Sequence, residues 1–467
     1  MQKKLLTALI FIGFMFVTPN SALSQTVKQA QIEKTGLDFN TAYELMMANN
    51  NQIKAVLEEI NAKKYEKRAA IGEYFPKVGI NVSATHFNEN VAVDIPSVNI
   101  GSGSIAIPSL TLQEKNFATA SVGANWNIFT GGKISAMNSV ARAKLEESNL
   151  KYKHITNVLT AELVKSYYGL QFAQNVVEVR RQVLADNEKH LHDAKLMEKE
   201  GLIPKSERLH AEVSYRQAKK DYELALKDED IIEEGLKNLI KADDVDLTNV
   251  KIQPLSSLFI SNKDIDKVAK LKQTALANNP DYKQNDVKKK IANANYKAKV
   301  ADYYPTISLY AYDIAASESL SHQVPKLAVG ASANFLLFDG LSRYNNLKAA
   351  QCVKKQVKYE TMNAKNNLET QVIKNYDELL KYKEEYESTN KSIESANESL
   401  RTSTLAFKEG MGTSLSVTDA QTALSGIKIE RLNALYNYDM KLCELLNTEG
   451  NSEKILEYIK DATEEKL

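Results

Sequence analysis

The side chains that could support catalysis or metal binding are few in this 467-residue chain and are spread along its length. His190 and His192 are the most closely spaced of its six histidines, and imidazole is a common metal ligand. Residues two apart on a helix do not share a face, so this pair predicts two solvated side chains rather than a metal site. The aspartates at 243, 244 and 246 could hold Ca²⁺ weakly, but the loop glycine and distal glutamate of an EF-hand are missing.

The sequence also lacks the short motifs that would indicate an enzyme. It has no Walker A, GxGxxG or HExxH motif and no pair of CxxC motifs. The formal net charge is +1, so the composition gives no reason to expect a nucleic-acid partner. We therefore predict a protein that is not an enzyme and needs no cofactor.

Residues 1–24 have the pattern of a secretory signal peptide. Lys3 and Lys4 precede an apolar run over 5–17, and small residues follow at Ala22 and Ser24. The run is shorter than the roughly 20 residues that a membrane-spanning helix needs. We expect cleavage before Gln25 and export, and no later helical pattern is apolar enough to cross a membrane. Any crossing must therefore use strands.

Two cysteines, Cys352 and Cys443, lie inside helical patterns. An exported protein can form a disulfide, and two buried reduced thiols are the other interpretation. The sequence leaves both open.

The elements that position these side chains come from an internal duplication. Residues 127–132 (NIFTGG) recur as 336–341 (LLFDGL), an offset of 209. Upstream, 72–76 (GEYFP) recur as 301–305 (ADYYP), an offset of 229. The difference of 20 residues indicates one insertion between the two landmarks. A fixed internal repeat of this kind sets the architecture.

Each copy predicts one β-hairpin with an apolar and a polar face. Over 77–85, Val78, Ile80 and Val82 alternate with polar residues, which is the period of a half-buried strand. The other predicted strands are 118–128, 306–312 and 327–337, and the connections are a long loop over 88–116 and a shorter one near 315–325.

The remaining segments have helical patterns, and two of them are very long. Residues 132–199 and 342–408 each predict a rod of roughly 100 Å. Each ends at a glycine turn, 200–204 or 409–413. The shorter predicted helices are 38–72 and 205–241 in the first copy, and 262–300 and 414–447 in the second. In each copy the two short lengths together match the long one, which predicts two short helices stacked end to end beside it.

These patterns divide the chain into five segments. We predict a signal peptide (1–24), a first repeat (25–241, hairpin 74–129), a connector (242–261, with a short strand at 250–252), a second repeat (262–449, hairpin 303–338) and a C-terminal tail (450–467) with one more helix and a frayed end.

The hairpins favour a membrane location. Their strands match the about 9–11 residues of a tilted crossing, and aromatic residues such as Trp126 and Tyr74 cluster at one end as in an interfacial girdle. Four strands cannot close a barrel, so several chains must share one. Two chains would supply eight strands and a filled interior; three would supply 12 and leave a lumen, which the small polar residues favour. The alternative is a soluble hairpin layer packed on helices.

The landmarks, taken in order and in duplicate, resemble the TolC-like outer-membrane efflux proteins. The resemblance covers about 37–447 and is carried by 74–76 and 303–305, by 127–132 and 337–340, and by the two glycine turns. It implies a mainly α protein with a transmembrane β-barrel. Three identical chains would form a shared 12-stranded barrel in the outer-membrane lipid and a long α-helical barrel through the periplasm. The connector and tail would form a mixed band around it.

The resemblance also implies a function and its sites. Such proteins are passive exit ducts for tripartite efflux or type I secretion, with a periplasmic adaptor (membrane fusion) protein and an inner-membrane pump docking at the helical tips, here Gly201, Gly410 and Gly412. Acids just past the second tip narrow the entrance in the family.

Those entrance positions here are Ser416, a departure from the typical acid, and Asp419. Three copies of Asp419 would form a ring of carboxylates that attracts cations and raises at least one of their pKa values. The simpler interpretation of Asp419 is a solvated helix residue. A tip bond in the family joins an acid to a basic residue; Glu207 holds the acidic position, but Gly412 holds the basic one.

A second function remains open from the sequence. The protein could be a periplasmic coiled-coil scaffold or adaptor, with its hairpins forming ordinary soluble sheet. The sequence names neither the cargo nor the pump.

Overall fold

The computed structural model describes residues 37–94, 98–101, 103–105, 109–241, 256–257, 268–316, 326–461 and 463–464. Within them the helices are α1 (Phe39–Asn49), α2 (Asn51–Gly72), α3 (Lys133–Lys199), α4 (Lys205–Ile240), α5 (Val268–Asn278), α6 (Pro280–Ala301), α7 (Ser342–Lys408), α8 (Ser414–Thr448) and α9 (Ile455–Asp461), with a 3₁₀ turn at Ser452–Lys454. The strands are β1 (Lys77–His86), β2 (Val91–Val93), β3 (Val98–Ile100), β4 (Gly103–Ile105), β5 (Leu110–Gln113), β6 (Asn116–Phe129), β7 (Ser256–Ser257), β8 (Thr306–Ala316), β9 (Leu327–Asn334) and β10 (Thr463–Glu464). The chain is therefore mostly helical.

The two long helices confirm the predicted rods. Helices α3 and α7 each contain 67 residues. Both end where a glycine adopts a left-handed backbone, Gly201 at φ 72° and Gly410 at φ 71°. The chain then turns back, and the N–H groups of Leu202 and Met411 close the last helical turn on the carbonyls of Met197 and Ala406.

The short helices before the hairpins are broken, so the prediction of one unbroken helix over 38–72 was wrong. Asn50 lies outside helical geometry with ψ 127°, and its side chain accepts a hydrogen bond from the N–H of Gln52 at 2.8 Å. Its amide Nδ2 also donates to the carbonyl of Leu239 at the end of α4, 3.3 Å away. This contact places the start of α2 at the end of α4, the end-to-end arrangement that the helix lengths predict.

The second repeat breaks at the equivalent residue. Asn279 accepts from the N–H of Tyr282 at 2.8 Å and donates to the carbonyl of Thr448 at 3.0 Å. Pro280 follows it as the first residue of α6, a position where its missing N–H costs nothing. One asparagine in each repeat therefore caps one helix and closes the C-terminus of another.

The two hairpins pair side by side in one antiparallel sheet of order β1-β6-β8-β9. The polar face carries cross-strand hydrogen bonds, such as the 2.7 Å contact between the hydroxyls of Ser83 and Thr119. Strand β9 ends at Asn334, before the predicted 337, because Asn334 pairs with Thr306, the first residue of β8. No further residue of β8 is left to pair with 335–337.

The predicted long loop over 88–116 also contains strands. Strand β2 pairs with β5, and β3 pairs with β4 around Gly101, whose φ of 65° suits a tight turn. Apolar residues that alternate at 91 and 93 and at 110 and 112 give these short segments strand character. The 20-residue insertion is therefore largely an extension of the first hairpin.

The connector and the tail meet. Ser256–Ser257 of the connector pair with Thr463–Glu464 of the tail in an antiparallel ladder. The tail holds the predicted extra helix, α9. The predicted signal peptide, the aspartates at 243–246, the strand at 250–252 and most of the loop near 315–325 lie outside the described residues.

The main hydrophobic core lies between the helices. Phe39 of α1 packs on Tyr167 and Tyr168 of α3, with ring centroids 5.4 and 6.2 Å away. Cys443 is buried in this core, whereas Cys352 is exposed, and both thiols are free. The interpretation of two buried thiols is therefore right for Cys443 and wrong for Cys352. None of the described helices combines the length and the apolar character that crossing a bilayer requires.

Candidate functional site at the helical tips

The tip of the second repeat is a turn that only glycine can form. At Gly412, an added Cβ would lie 2.9 Å from the backbone nitrogen of Phe407, closer than side chains approach. The N–H of Gly412 donates to the carbonyl of Ala406 at 2.9 Å, which folds the chain tightly over the end of α7. A basic side chain at this position is therefore sterically excluded.

A small hydrophobic cluster packs the two tips against each other. Its buried residues come from all four tip helices: Leu191 and Ala194 from α3, Ala211 from α4, Phe407 from α7 and Val417 from α8. The cluster fixes how the polar residues of one tip face those of the other. It is separate from the main core.

Glu207 of the first repeat caps a helix of the second. Its Oε2 accepts a hydrogen bond of 2.6 Å from the backbone N–H of Ser414, the first residue of α8. The first N–H groups of a helix have no partner within the helix, and its N-terminus carries partial positive charge. A carboxylate is the favoured partner there. The acid that lacks a basic partner in the sequence thus finds a backbone donor instead.

His190 contacts the same residue from α3. Its Nε2 lies 2.7 Å from Oγ of Ser414, and its ring lies edge-on to Phe407 with centroids 4.6 Å apart. His190 is 6% exposed, and Ser414 is fully buried. Burial lowers the pKa of His190, and the nearby carboxylates of Asp193 and Glu207 oppose that shift only in part. We call Glu207, Ser414 and His190 the tip contact.

The prediction of two solvated histidines was wrong for His190 and right for His192, which is exposed. The sequence held a signal for this difference. Asn187, His190, Leu191 and Ala194 are all buried and recur at spacings of three and four, as on the packed face of a helix. His192 falls outside that stripe.

The predicted entrance residues lie on the first turns of α8. Thr413 caps the helix, and its Oγ1 accepts from the N–H of Ser416 at 3.2 Å and lies 2.9 Å from that residue's hydroxyl. Ser416 is thus part of the cap. Asp419 is exposed one turn further on, and within the described residues no cation pairs with it. In a single chain the structure brings Glu207 into the tip contact and leaves Ser416 and Asp419 at the surface.

Among the described residues no group of three or more metal-binding side chains converges. Ion pairs brace the helical tip of the first repeat, since Arg208 of α4 lies 2.6 Å from Glu198 of α3 and 2.7 Å from Glu212.

Comparison with known proteins places this architecture in a family. The chain matches the outer membrane efflux protein family over residues 42–240 and 271–451. No sequence among curated proteins matches it.

Solved structures share the fold across nearly the whole chain. The CmeC outer membrane channel of Campylobacter jejuni superposes with a TM-score of 0.71 at 14% identity, covering 91% of this chain and 90% of its own. The open state of the MtrE outer membrane channel of Neisseria gonorrhoeae gives 0.70 at 16%, covering 89% of each. The outer membrane protein VceC of Vibrio cholerae gives 0.72 at 13%, covering 88% of this chain and 96% of its own.

Two of these neighbours, CmeC and MtrE, are outer membrane channels. The family match spans both repeats and covers most of the chain, which confirms the resemblance that the duplicated landmarks indicate. The chain is a member of the outer membrane efflux protein family.

Proposed function

We propose that three copies of this chain form a passive exit duct in the outer membrane, serving a tripartite efflux or type I secretion system. The observation that carries this proposal is the exposed apolar face of the sheet. Its large apolar side chains are exposed in the single chain, and Ile80 of β1 is 76% exposed. The other large exposed side chains on the hairpins include Val78, Val82, Leu327 and Val329. A face of this kind needs lipid or a partner to cover it.

The edges of the sheet support a shared barrel. Strands β1 and β9 are the outer strands of the four, and each leaves a row of backbone groups unpaired in the single chain. Unpaired edges are not tolerated in hydrocarbon, so β1 of one copy must pair with β9 of the next. Three copies then close a 12-stranded barrel with the polar face inside. Trp126, whose indole N–H donates to the carbonyl of Tyr74 at 2.7 Å, belongs to the proposed aromatic girdle.

In this proposal the helices form the rest of the duct, in the periplasm. Repeats 25–241 and 262–449 would each contribute one rod to a helical barrel. The connector 242–261 and the tail 450–467 would form the band around it, and the pairing of β7 with β10 supports this grouping. A leader at 1–24 would direct export.

The tips form the proposed entrance and docking end. At the two turns, Leu202 and Met411 are exposed, Met411 at 81%, as expected of a surface that a periplasmic adaptor covers. Gly201, Gly410 and Gly412 shape that surface. Three copies of Asp419 would ring the entrance beside the hydroxyl of Ser416, and an inner-membrane pump would supply the energy for transport.

The proposal is tested by extraction and mass. A duct needs detergent for release from the envelope, and native mass measurement should give three chains. A periplasmic scaffold would be released with the soluble fraction, and its hairpins would pack on its own helices. A well-folded, lipid-free monomer would overturn the proposal.

A further inference from the structure

Ser414 is the point where three tip helices meet. As the first residue of α8, it is fully buried between α3 and α4. The backbone N–H of Ser414 donates to the carboxylate of Glu207 on α4 at 2.6 Å. The imidazole of His190 on α3 lies 2.7 Å from the Ser414 hydroxyl. The first turn of α8, which leads to Asp419, is therefore positioned by two side chains of the other repeat.

We propose that His190 is a positioning residue of the entrance: in its neutral form it holds Ser414 and the first turn of α8 against the first repeat, and proton binding releases them. The inference rests on the proposed function, because it assigns regulation to the end of the chain that we propose as the entrance.

The surroundings of His190 carry charges of both signs. It borders a cavity of about 170 Å³ between α3, α7 and α8. The titratable groups facing this region are Asp186, Lys189 and Asp193 from α3, Lys408 from α7 and, on the side of the tip contact, Glu207 from α4. Helix α8 contributes Val417 and the amide of Gln421, which do not titrate, and carries Asp419 at its surface. Nζ of Lys408 lies 3.8 Å from Asp193 and offsets part of its charge.

A proton on His190 opposes the contact in two ways. A neutral imidazole with its hydrogen on Nδ1 accepts the Ser414 hydroxyl proton at Nε2, whereas an imidazolium donates there, so the bond must reverse and the buried hydroxyl needs another acceptor for its own proton. The added positive charge also faces the N-terminus of α8, where the helix dipole is already positive, and it competes with the Ser414 N–H for the carboxylate of Glu207.

The sign of the pH dependence follows from burial. His190 is buried while the tip contact is formed, and this burial lowers its pKa. The formed contact therefore favours the neutral ring. The stabilisation is fully present above the ordinary histidine pKa of about 6.5 and is lost as the pH falls through the lowered value. Acid therefore opens the tip.

The test compares His190→Gln with the matched control His192→Gln, which changes an exposed histidine on the same helix. The purified full chain is reconstituted in planar bilayers, and conductance is followed from about pH 7.5 to about pH 5, a range that spans ordinary histidine titration. In the wild type and in the His192 control we expect open probability to rise on acidification. The rise should be up to about tenfold per pH unit for each tip contact in the pore, because the release of each contact is linked to the binding of one proton. His190→Gln should show a flat profile.

A second measurement separates this inference from the proposed function. Hydrogen exchange of the peptide around 413–420, corrected for intrinsic rates, reports the first turn of α8 in detergent whether or not the protein conducts. We expect faster exchange at acid pH in the wild type and no acid-induced change in His190→Gln. Ser414→Ala should exchange fast at every pH. If the protein formed no pore, the proposed function as a duct would be overturned. The hydrogen-exchange measurement would still test the role of His190.

Two outcomes overturn the role of His190. One is acid-induced exchange and conductance that persist in His190→Gln. The other is a pH dependence that disappears in Asp419→Asn instead, because the carboxylate would then be the group that titrates.

Discussion

Asn50 and Asn279 occupy equivalent positions in the two repeats, and each joins the start of one helix to the end of another. Asn50 bonds the carbonyl of Leu239, and Asn279 bonds that of Thr448. Both residues are buried. The duplication thus reproduces a specific hydrogen-bond arrangement at the point where two short helices stack to match one long helix.

Replacing either asparagine with alanine should destabilise the helical rod. Each change removes an N-cap and leaves a buried carbonyl without its donor, which together cost about 1–3 kcal/mol. Chemical unfolding followed by the helical circular dichroism signal measures the loss. Asn61→Ala is the control, because its amide makes only surface contacts, at 3.4 Å with Glu58 and at 3.5 Å with Lys64. Equal stability of Asn50→Ala and this control would contradict a stabilising role for the hydrogen bonds of Asn50.

Removing the carboxylate of Glu207 should loosen the entrance. In Glu207→Ala the N–H of Ser414 loses a charge-assisted acceptor worth about 1.5–3 kcal/mol. We expect higher conductance in planar bilayers at neutral pH. Glu200→Ala removes an acid from the same tip but leaves the tip contact unchanged, and it should conduct like the wild type. A Glu207→Ala channel with wild-type conductance would show that the tip contact does not restrict passage.

Charge substitutions on α8 should change ion preference in opposite directions. If three copies of Asp419 form a ring, Asp419→Asn weakens the attraction for cations and raises anion conductance relative to cation conductance. Ser416→Asp should do the reverse, since it adds a second set of carboxylates and also suits the N-terminus of the helix. Reversal potentials in asymmetric salt measure both. Unchanged reversal potentials in the two variants would argue that these residues face away from the pathway.

The two cysteines should react differently with a maleimide. Burial raises the pKa of the Cys443 thiol to about 12, so almost no thiolate is present at neutral pH, whereas Cys352 is exposed. Intact-mass analysis of the folded protein should show one adduct, and unfolding should allow a second. Cys352→Ser provides the control and should show none before unfolding. No adduct on the non-reduced, unfolded wild type would instead indicate a disulfide.

Much of the fold could be predicted because its signals are local. Helices α3 and α7 follow from unbroken periodicity that ends at Gly201 and Gly410, and strand β1 follows from simple alternation. The misjudged segments depended on distant partners. Strand β9 ends at the residue that pairs with the first residue of β8. The helix before β1 breaks at Asn50, because the side chain of Asn50 donates to a carbonyl 189 residues away.

The sequence alone determined the duplication, the two long helices, the four main strands and the family, because periodicity and repeated landmarks are properties of neighbouring residues. Only the tertiary structure decided the tip contact. His190 and Ser414 are separated by 224 residues and Glu207 and Ser414 by 207, so no local pattern relates them. Their contact depends on how the two helical tips pack against each other, which places a buried imidazole and a carboxylate at the N-terminus of α8. This is a matter of packing rather than of spacing along the chain.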